Sequence, residues 1–260
     1  MIRIRLVTLF VGFCLLVPYY TPTQAEAANA FVRSCVNSNN PSGTTLTCTF
    51  SAGAVAQHNL ISCLVHGAST TATATLADNQ STPNSYTVGT YATDSTHGNR
   101  GVVAYAKDTT GGGTDPTVVT VTWSVAVTVR GIICHEISGA DLTAPADGAA
   151  QQVQLSLGTG TDGITSTAIT PSANGAYLFG AHYDSENNGI GTTAGTDYTG
   201  ATTTGSNPRS EYYVQPTAAA KAATFTPDCC TTSYATFIHA FKAASGATPD
   251  VTKFRLRLNQ

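Results

Sequence analysis

The sequence predicts an all-β protein, a two-sheet antiparallel β-sandwich, and three observations carry that prediction. Within residues 117–139, Val119, Val121, Trp123, Val125, Val127 and Val129 fall on every second position, with Thr120, Thr122 and Thr128 between them. This is the period-2 signature of a pleated strand with one buried face, built from β-branched residues that fit such a surface. Clusters rich in Gly, Pro, Asn, Asp and Thr, such as 78–84 and 109–116, punctuate the chain at the spacing of an antiparallel sandwich. No stretch carries the period of an amphipathic helix.

Ahead of the strands stands a leader. Arg3 and Arg5 precede an apolar run at 6–17, and small-residue sites follow at Ala25-Glu26-Ala27 and Ala28-Asn29-Ala30, so residues 1–30 read as a secretory signal peptide. The run is shorter than the roughly 20 residues of a membrane-crossing helix, and no other stretch approaches that length. Residues 31–244 then form one sandwich domain of a size such folds commonly reach, followed by a linker and a strand-like tail at 245–260.

In chain order the alternation and the turn clusters give strands at 31–36, 44–50, 59–66, 71–77, 86–91, 101–107, 118–123, 128–138, 152–157, 164–170, 176–183, 211–215, 222–226 and 233–242. A single strand through 117–139 would span about 75 Å, several times the usual length, which predicts that the run folds back at 124–127. Its second half is apolar on both faces through Ile132, Ile133, Cys134 and Ile137. That pattern marks a central strand covered on either side, with Gly131 at a bulge or a close backbone approach.

Six cysteines follow the leader, an even number that favours disulfides in a secreted chain. Cys35 and Cys48 are expected to pair because their strands are joined by a short turn-rich segment and should form a hairpin. Cys63 and Cys134 are expected to pair because they sit mid-strand in the two most apolar strands. Cys229 and Cys230 are adjacent and could bond to each other or to separate partners. No CxxC or His-x-Cys spacing supports a zinc site.

From Phe31 onward ten Lys and Arg stand against fourteen Asp and Glu, a formal charge of −4, and three of the cations lie in the last eight residues. Nothing makes the basic footprint that nucleic acid or an anionic membrane requires.

The motif order 59–65, 86–88, 103–108, 119–124, 130–141, 176–181 and 234–242, with the Glu-x-Ser-Gly-x-Asp turn at Glu136 to Asp141, resembles a group of jelly-roll β-sandwich modules. These are the poorly characterised modules of bacterial extracellular and phage-associated proteins. The resemblance implies a jelly-roll-like fold and brings no catalytic residues with it. The chain departs from the pattern in its six cysteines and in His58, where the group usually has glycine.

Few residues suggest chemistry. His135 and Glu136 are adjacent on a strand and so face opposite ways. A glycan hydrolase or lyase would need a second carboxylate beside Glu136, with Glu211 and Asp184 the candidates. A structural Glu136, paired with Arg130, Arg209 or backbone amides, is the favoured reading. Serine-nucleophile and phosphate-loop motifs are absent, and His58, His66, His97 and His239 read as ordinary core or surface residues.

The long Gly, Thr, Asn and Ser segment at 184–208 is the best candidate for ligand binding, because it exceeds an ordinary connection. Tyr183, Asp184, Glu186, Asn187, Asn188 and Asp197 are its candidate contacts: an aromatic beside acids and amides can stack on and hydrogen-bond a sugar. Asp184, Glu186 and Asn188 also repeat the alternating oxygens of a calcium loop, with Asp197 standing in for its final acid, so calcium is the cofactor the segment could hold. The expected function is a secreted, non-enzymatic module for adhesion, glycan binding or extracellular structure, with a glycan or cell-surface polymer as partner. The alternatives are the Glu136 enzyme and self-association by donation of the tail strand.

Overall fold

The computed structural model describes residues 28–51, 53–111, 116–157, 163–186, 192–201, 208–228 and 232–245. It is all-β, with every strand pair antiparallel. One inner sheet runs in the order β1 (Ala30–Asn39), β8 (Val118–Ser138), β3 (Leu60–Ala68), β7 (Asn99–Ala106), β5 (Tyr86–Val88), with β6 (Ala92–Asp94) also on β7. The first half of β8 leaves that sheet and pairs with β2 (Gly43–Thr49) and β4 (Ala74–Asp78), forming a small outer sheet. The second inner sheet runs β13 (Thr199–Gly200), β14 (Arg209–Gln215), β11 (Ala176–Asp184), β16 (Thr232–Phe241), β9 (Ala146–Leu157). A second outer sheet consists of β10 (Ile164–Thr165), β15 (Thr224–Pro227) and β12 (Thr192–Ala194). No helix among the described residues is long and apolar enough to cross a membrane.

Three cores lie between these four layers, and strand alternation assigns each residue to one of them. Along β3, Ile61, Cys63 and Val65 join Leu46 and Leu76 of the first outer sheet, while Leu60 and Leu64 join Tyr177, Phe179 and Phe237 of the second inner sheet. Along β11, Tyr177, Phe179, Ala181 and Tyr183 face the first inner sheet, while Ala176 and Leu178 pack on Ile164 and Phe225 of the second outer sheet. Both inner sheets are thus covered on both faces. This explains why β11 and β16 are buried at every position.

The long central stretch does not fold back. β8 is one strand of 21 residues. Its excess length is absorbed by a change of sheet: pairing with β2 jumps from Gly43↔Val127 to Thr45↔Thr122, and Val129 takes φ 48. The predicted turn at 124–127 is therefore a bulge, where two sheets share one bending strand. Arg130 holds the bend, its Nη2 donating to Pro41 O at 2.7 Å and its Nη1 to Thr45 O.

Cys35–Cys48 and Cys63–Cys134 are both disulfides. Cys63 and Cys134 face each other on neighbouring strands, as expected. Cys35 and Cys48 are joined for a different reason from the predicted hairpin: β1 and β2 do not pair, and each runs along a different half of β8. Cys229 and Cys230 lie outside the described residues, as do residues 1–27 and the tail from 246 onward.

Asn29, inside the span read as leader, is built into the sandwich. It is buried and its Nδ2 donates to Gly175 O at 3.0 Å and Phe241 O at 2.9 Å. Of the two small-residue sites, the one ending at Ala27 spares this contact and the one ending at Ala30 removes it.

Candidate functional site

Strand β11 sets up the site by delivering alternate residues to opposite interfaces at its C-terminal end. His182 points toward the second outer sheet, its ring edge-on to Phe225 at 4.4 Å and its Nε2 2.8 Å from Thr192 Oγ1. Burial, followed by the Arg209 charge and His66, lowers its pKa to about 3, so it is a neutral ring. Beside it Arg209 of β14, directly opposite His182 in the ladder, donates from Nη1 to Thr192 O at 3.3 Å. These contacts fix β12 across the sheet end and leave a cleft of about 250 Å³. Its walls are Thr192, Thr193 and Ala194 of β12, Gly200 of β13, Arg209 and Ser210 of β14, Phe225 of β15 and Asp228.

Glu211 anchors the layer beneath the cleft. Its Oε2 accepts from Gly195 N and its Oε1 from Thr224 N, both at 2.9 Å, so one carboxyl clamps the neighbouring strands β12 and β15 where they meet. Gly180 opposite is what admits this side chain, since a Cβ there would stand 2.7 Å from Glu211 Cγ. Burial pushes the carboxyl up to about 8, against the pull of the two amides and Lys221. Glu211 is fully enclosed and is a bracket, with no access to the cleft.

The residues singled out in the sequence fall in several places. Tyr183 does not sit at the loop mouth: it is fully buried between the inner sheets and stacks on His66 at 4.7 Å. The cause is its position in the alternation, which sends 177, 179, 181 and 183 to one face. Asp184 is also buried, its Oδ1 accepting from Glu186 N at 2.8 Å and Thr232 Oγ1 at 2.9 Å. Glu186 turns the other way, its Oε1 3.6 Å from His97 Nε2, while His97 Nδ1 meets the buried Asp94 at 2.8 Å. Asp197 is exposed and paired with Lys221 at 2.8 Å. Asn187 and Asn188 lie outside the described residues. Among the described residues the one group of three His, Cys, Asp or Glu close enough to hold an ion is Cys35, Cys48 and Cys134, whose sulfurs belong to the disulfides.

Comparison with protein families, with curated proteins and with solved structures finds no match. Chemistry therefore has to be judged from geometry alone, and two arrangements invite it. Tyr177 OH, His135 and Ser210 Oγ form a chain with contacts of 2.9 and 2.7 Å on the two ring nitrogens. His135 and Ser210 are buried, the ring is walled in by Phe31 and Phe179, and burial lowers the histidine to about 3. Ser210 is also a cleft residue, but it is buried and its Oγ is turned to the His135 ring, so the chain ties β14, β8 and β11 together. Glu136 is also structural: it receives Arg33 Nε at 2.6 Å, Asn59 Nδ2 at 2.6 Å and Ala56 N at 2.8 Å. Its partner is Arg33, whereas Arg130 and Arg209, the candidates named from sequence, serve elsewhere. Glu136 faces the first outer interface and Glu211 the second, with both inner sheets between them, so they share no cleft. The cleft residues Arg209, Phe225 and Asp228 carry no sequence signal, because they converge from separate strands.

Proposed function

We propose that the protein is a secreted, non-enzymatic sandwich module that binds a carbohydrate at the cleft between the second inner and outer sheets. The observation that carries this reading is the cleft's position and lining. Four of its residues, Thr192, Thr193, Ala194 and Gly200, come from the polar segment 184–208. Threonine hydroxyls, a guanidinium and a carboxylate around one phenyl ring supply what a sugar needs, hydrogen-bond partners for its hydroxyls and an apolar surface for its C–H face. The volume, below the roughly 300–1,000 Å³ of drug-sized sites, suits one terminal sugar better than a long chain. Two disulfides fit an oxidising compartment, and the leader supplies the route to it.

A glycan array on the oxidised protein from Ala28 onward, with and without calcium, tests the reading. Specific binding is expected, and the exposed wall residues Thr193 and Asp228 give variants that keep the fold. Thr193→Ala and Asp228→Asn should each weaken binding about tenfold, as loss of one buried hydrogen bond does. No binding in either condition, or binding untouched by both variants, would refute it.

A further inference from the structure

The edges of the four sheets are not alike. Most are short: β5, β6 and β12 have three residues each, and β10 and β13 two. β4 has five and β2 seven, and two edges are long: β1, with ten residues, carries Arg33 and a register shift between Phe31 and Arg33, and β9 carries neither a charge nor a shift in its paired centre. β9 closes one side of the second inner sheet with twelve residues, pairs among the described residues only with β16, and has no fully buried position. Its one charge, Asp147, is occupied by Ser172 N and Oγ at the start of the strand. From Gly148 to Leu157 there is no charge and no proline, and pairing with β16 is unbroken from Ala149↔His239 to Gln154↔Tyr234. Leu155 stands 48% exposed beyond it. Edge strands of this length are ordinarily blunted by lysine, proline or a central bulge, and β9 lacks all three where the pairing runs unbroken.

The chain also supplies a strand for such an edge. In residues 251–258, Phe254, Leu256 and Leu258 alternate with Lys253, Arg255 and Arg257. Residues 28–245 hold seven Lys and Arg against thirteen Asp and Glu, a formal −6, so the tail is basic and the body acidic. We infer that the open edge of β9 accepts residues 251–258 of a second copy of this chain.

The geometry of departure selects a second copy over the same one. β16 ends at Phe241, opposite Ala146 at the start of β9, and Lys242 N and Ala244 N then bond to Pro145 O and Gly139 O. The tail leaves at that end. To run antiparallel to its own β9, like every other pair in the molecule, it would first have to travel the strand's length, about 40 Å at 3.3 Å per residue. The spacer 246–250 reaches about 17 Å. A neighbour's tail has no such restriction.

Sedimentation velocity on the oxidised chain from Ala28 to Gln260 tests this over a wide concentration range. The chain should form larger species as concentration rises. A tail variant, Phe254→Asp with Leu256→Asp, and an edge variant, Leu155→Lys, should each weaken association about tenfold or more. Leu155 lies outside the cores, and near-UV circular dichroism verifies the fold of both variants. Mixing the two variants should restore a 1:1 heterodimer, since one brings an intact edge and the other an intact tail. A monomeric parent chain, association indifferent to the tail change, or a mixture that stays monomeric would overturn the proposal.

Discussion

The two outer sheets cover equivalent faces of the sandwich and are held there by opposite means. The first shares a strand with the sheet it covers, because β8 runs through both, and it is tied by Cys35–Cys48, with Cys63–Cys134 in the same core. The second shares no strand. Its strands dock through the buried carboxyl of Glu211 and the packing of Ile164 and Phe225 on Ala176 and Leu178, while the Ser166 hydroxyl that receives Ala223 N at 3.0 Å ties β10 to β15 within the sheet. The covalently tied interface is apolar, with Phe50 and Trp123 among its buried residues. A polar and titratable attachment leaves short, separate strands, and it is between these that the cleft opens.

The comparison breaks first at the disulfides. In the chain-entropy account, removing Cys63–Cys134 as a double alanine variant frees a 71-residue separation and costs about 4 kcal/mol, while removing Cys35–Cys48, separation 13, costs about 3 kcal/mol. Urea unfolding of the two variants should rank them in that order, with the cleft in the other half intact. Equal losses, or loss of the cleft first, would show that the halves are not held independently.

The pH profile sharpens the same contrast. Glu211 has its folded pKa raised to about 8, so its stabilising contribution is complete below the ordinary carboxylate value near 4.5 and is lost as pH rises through 8. The buried histidines work in the other direction. His135 and His182 are depressed to about 3 and His239 to about 4, so their contributions are present above 6.5 and lost as pH falls through those values. Stability measured by urea midpoint should therefore decline on both sides of a maximum near neutrality. Glu211→Gln should remove a downward slope of up to about 1.4 kcal/mol per pH unit between 4.5 and 8, flattening the alkaline side and steepening the rise from 4.5 to neutrality, and leave the profile unchanged below about 4.5. An unaltered alkaline slope would mean that the carboxyl is not what docks the second outer sheet.

Legibility in the sequence follows the same division. Strands long enough to show alternation were read correctly, among them β3, β7, β11 and β16, and the two described disulfides followed from apolar mid-strand positions and proximity. The layering was not legible. β12 and β13 are three and two residues long, below the length at which any period shows, so the segment 184–208 looked like loop, while β10 and β15 correspond to the strands read at 164–170 and 222–226. The bend in β8 was read as a reversal because length alone cannot separate a strand that turns back from one that changes sheets. Tyr183 read as a loop-mouth aromatic because a strand's last residues show in sequence neither which face they take nor what covers it.

The smallest expected effect lies on the covalently held side, at the start of β3. His58 takes φ 64, in the left-handed region that glycine adopts without a Cβ penalty. Its one recorded side-chain contact, Nδ1 to Asp108 Oδ1 at 2.7 Å, joins two groups that are 58% and 48% exposed, where an ion pair adds little. His58→Gly relieves a cost of about 1–2 kcal/mol for a left-handed non-glycine residue and adds about 0.5–1 kcal/mol of chain entropy to the unfolded state. The balance is a gain of about 0.5 kcal/mol, or about 1–2 °C in Tm for a chain of this size. A fall in Tm would show that the His58–Asp108 contact contributes more than its exposure allows.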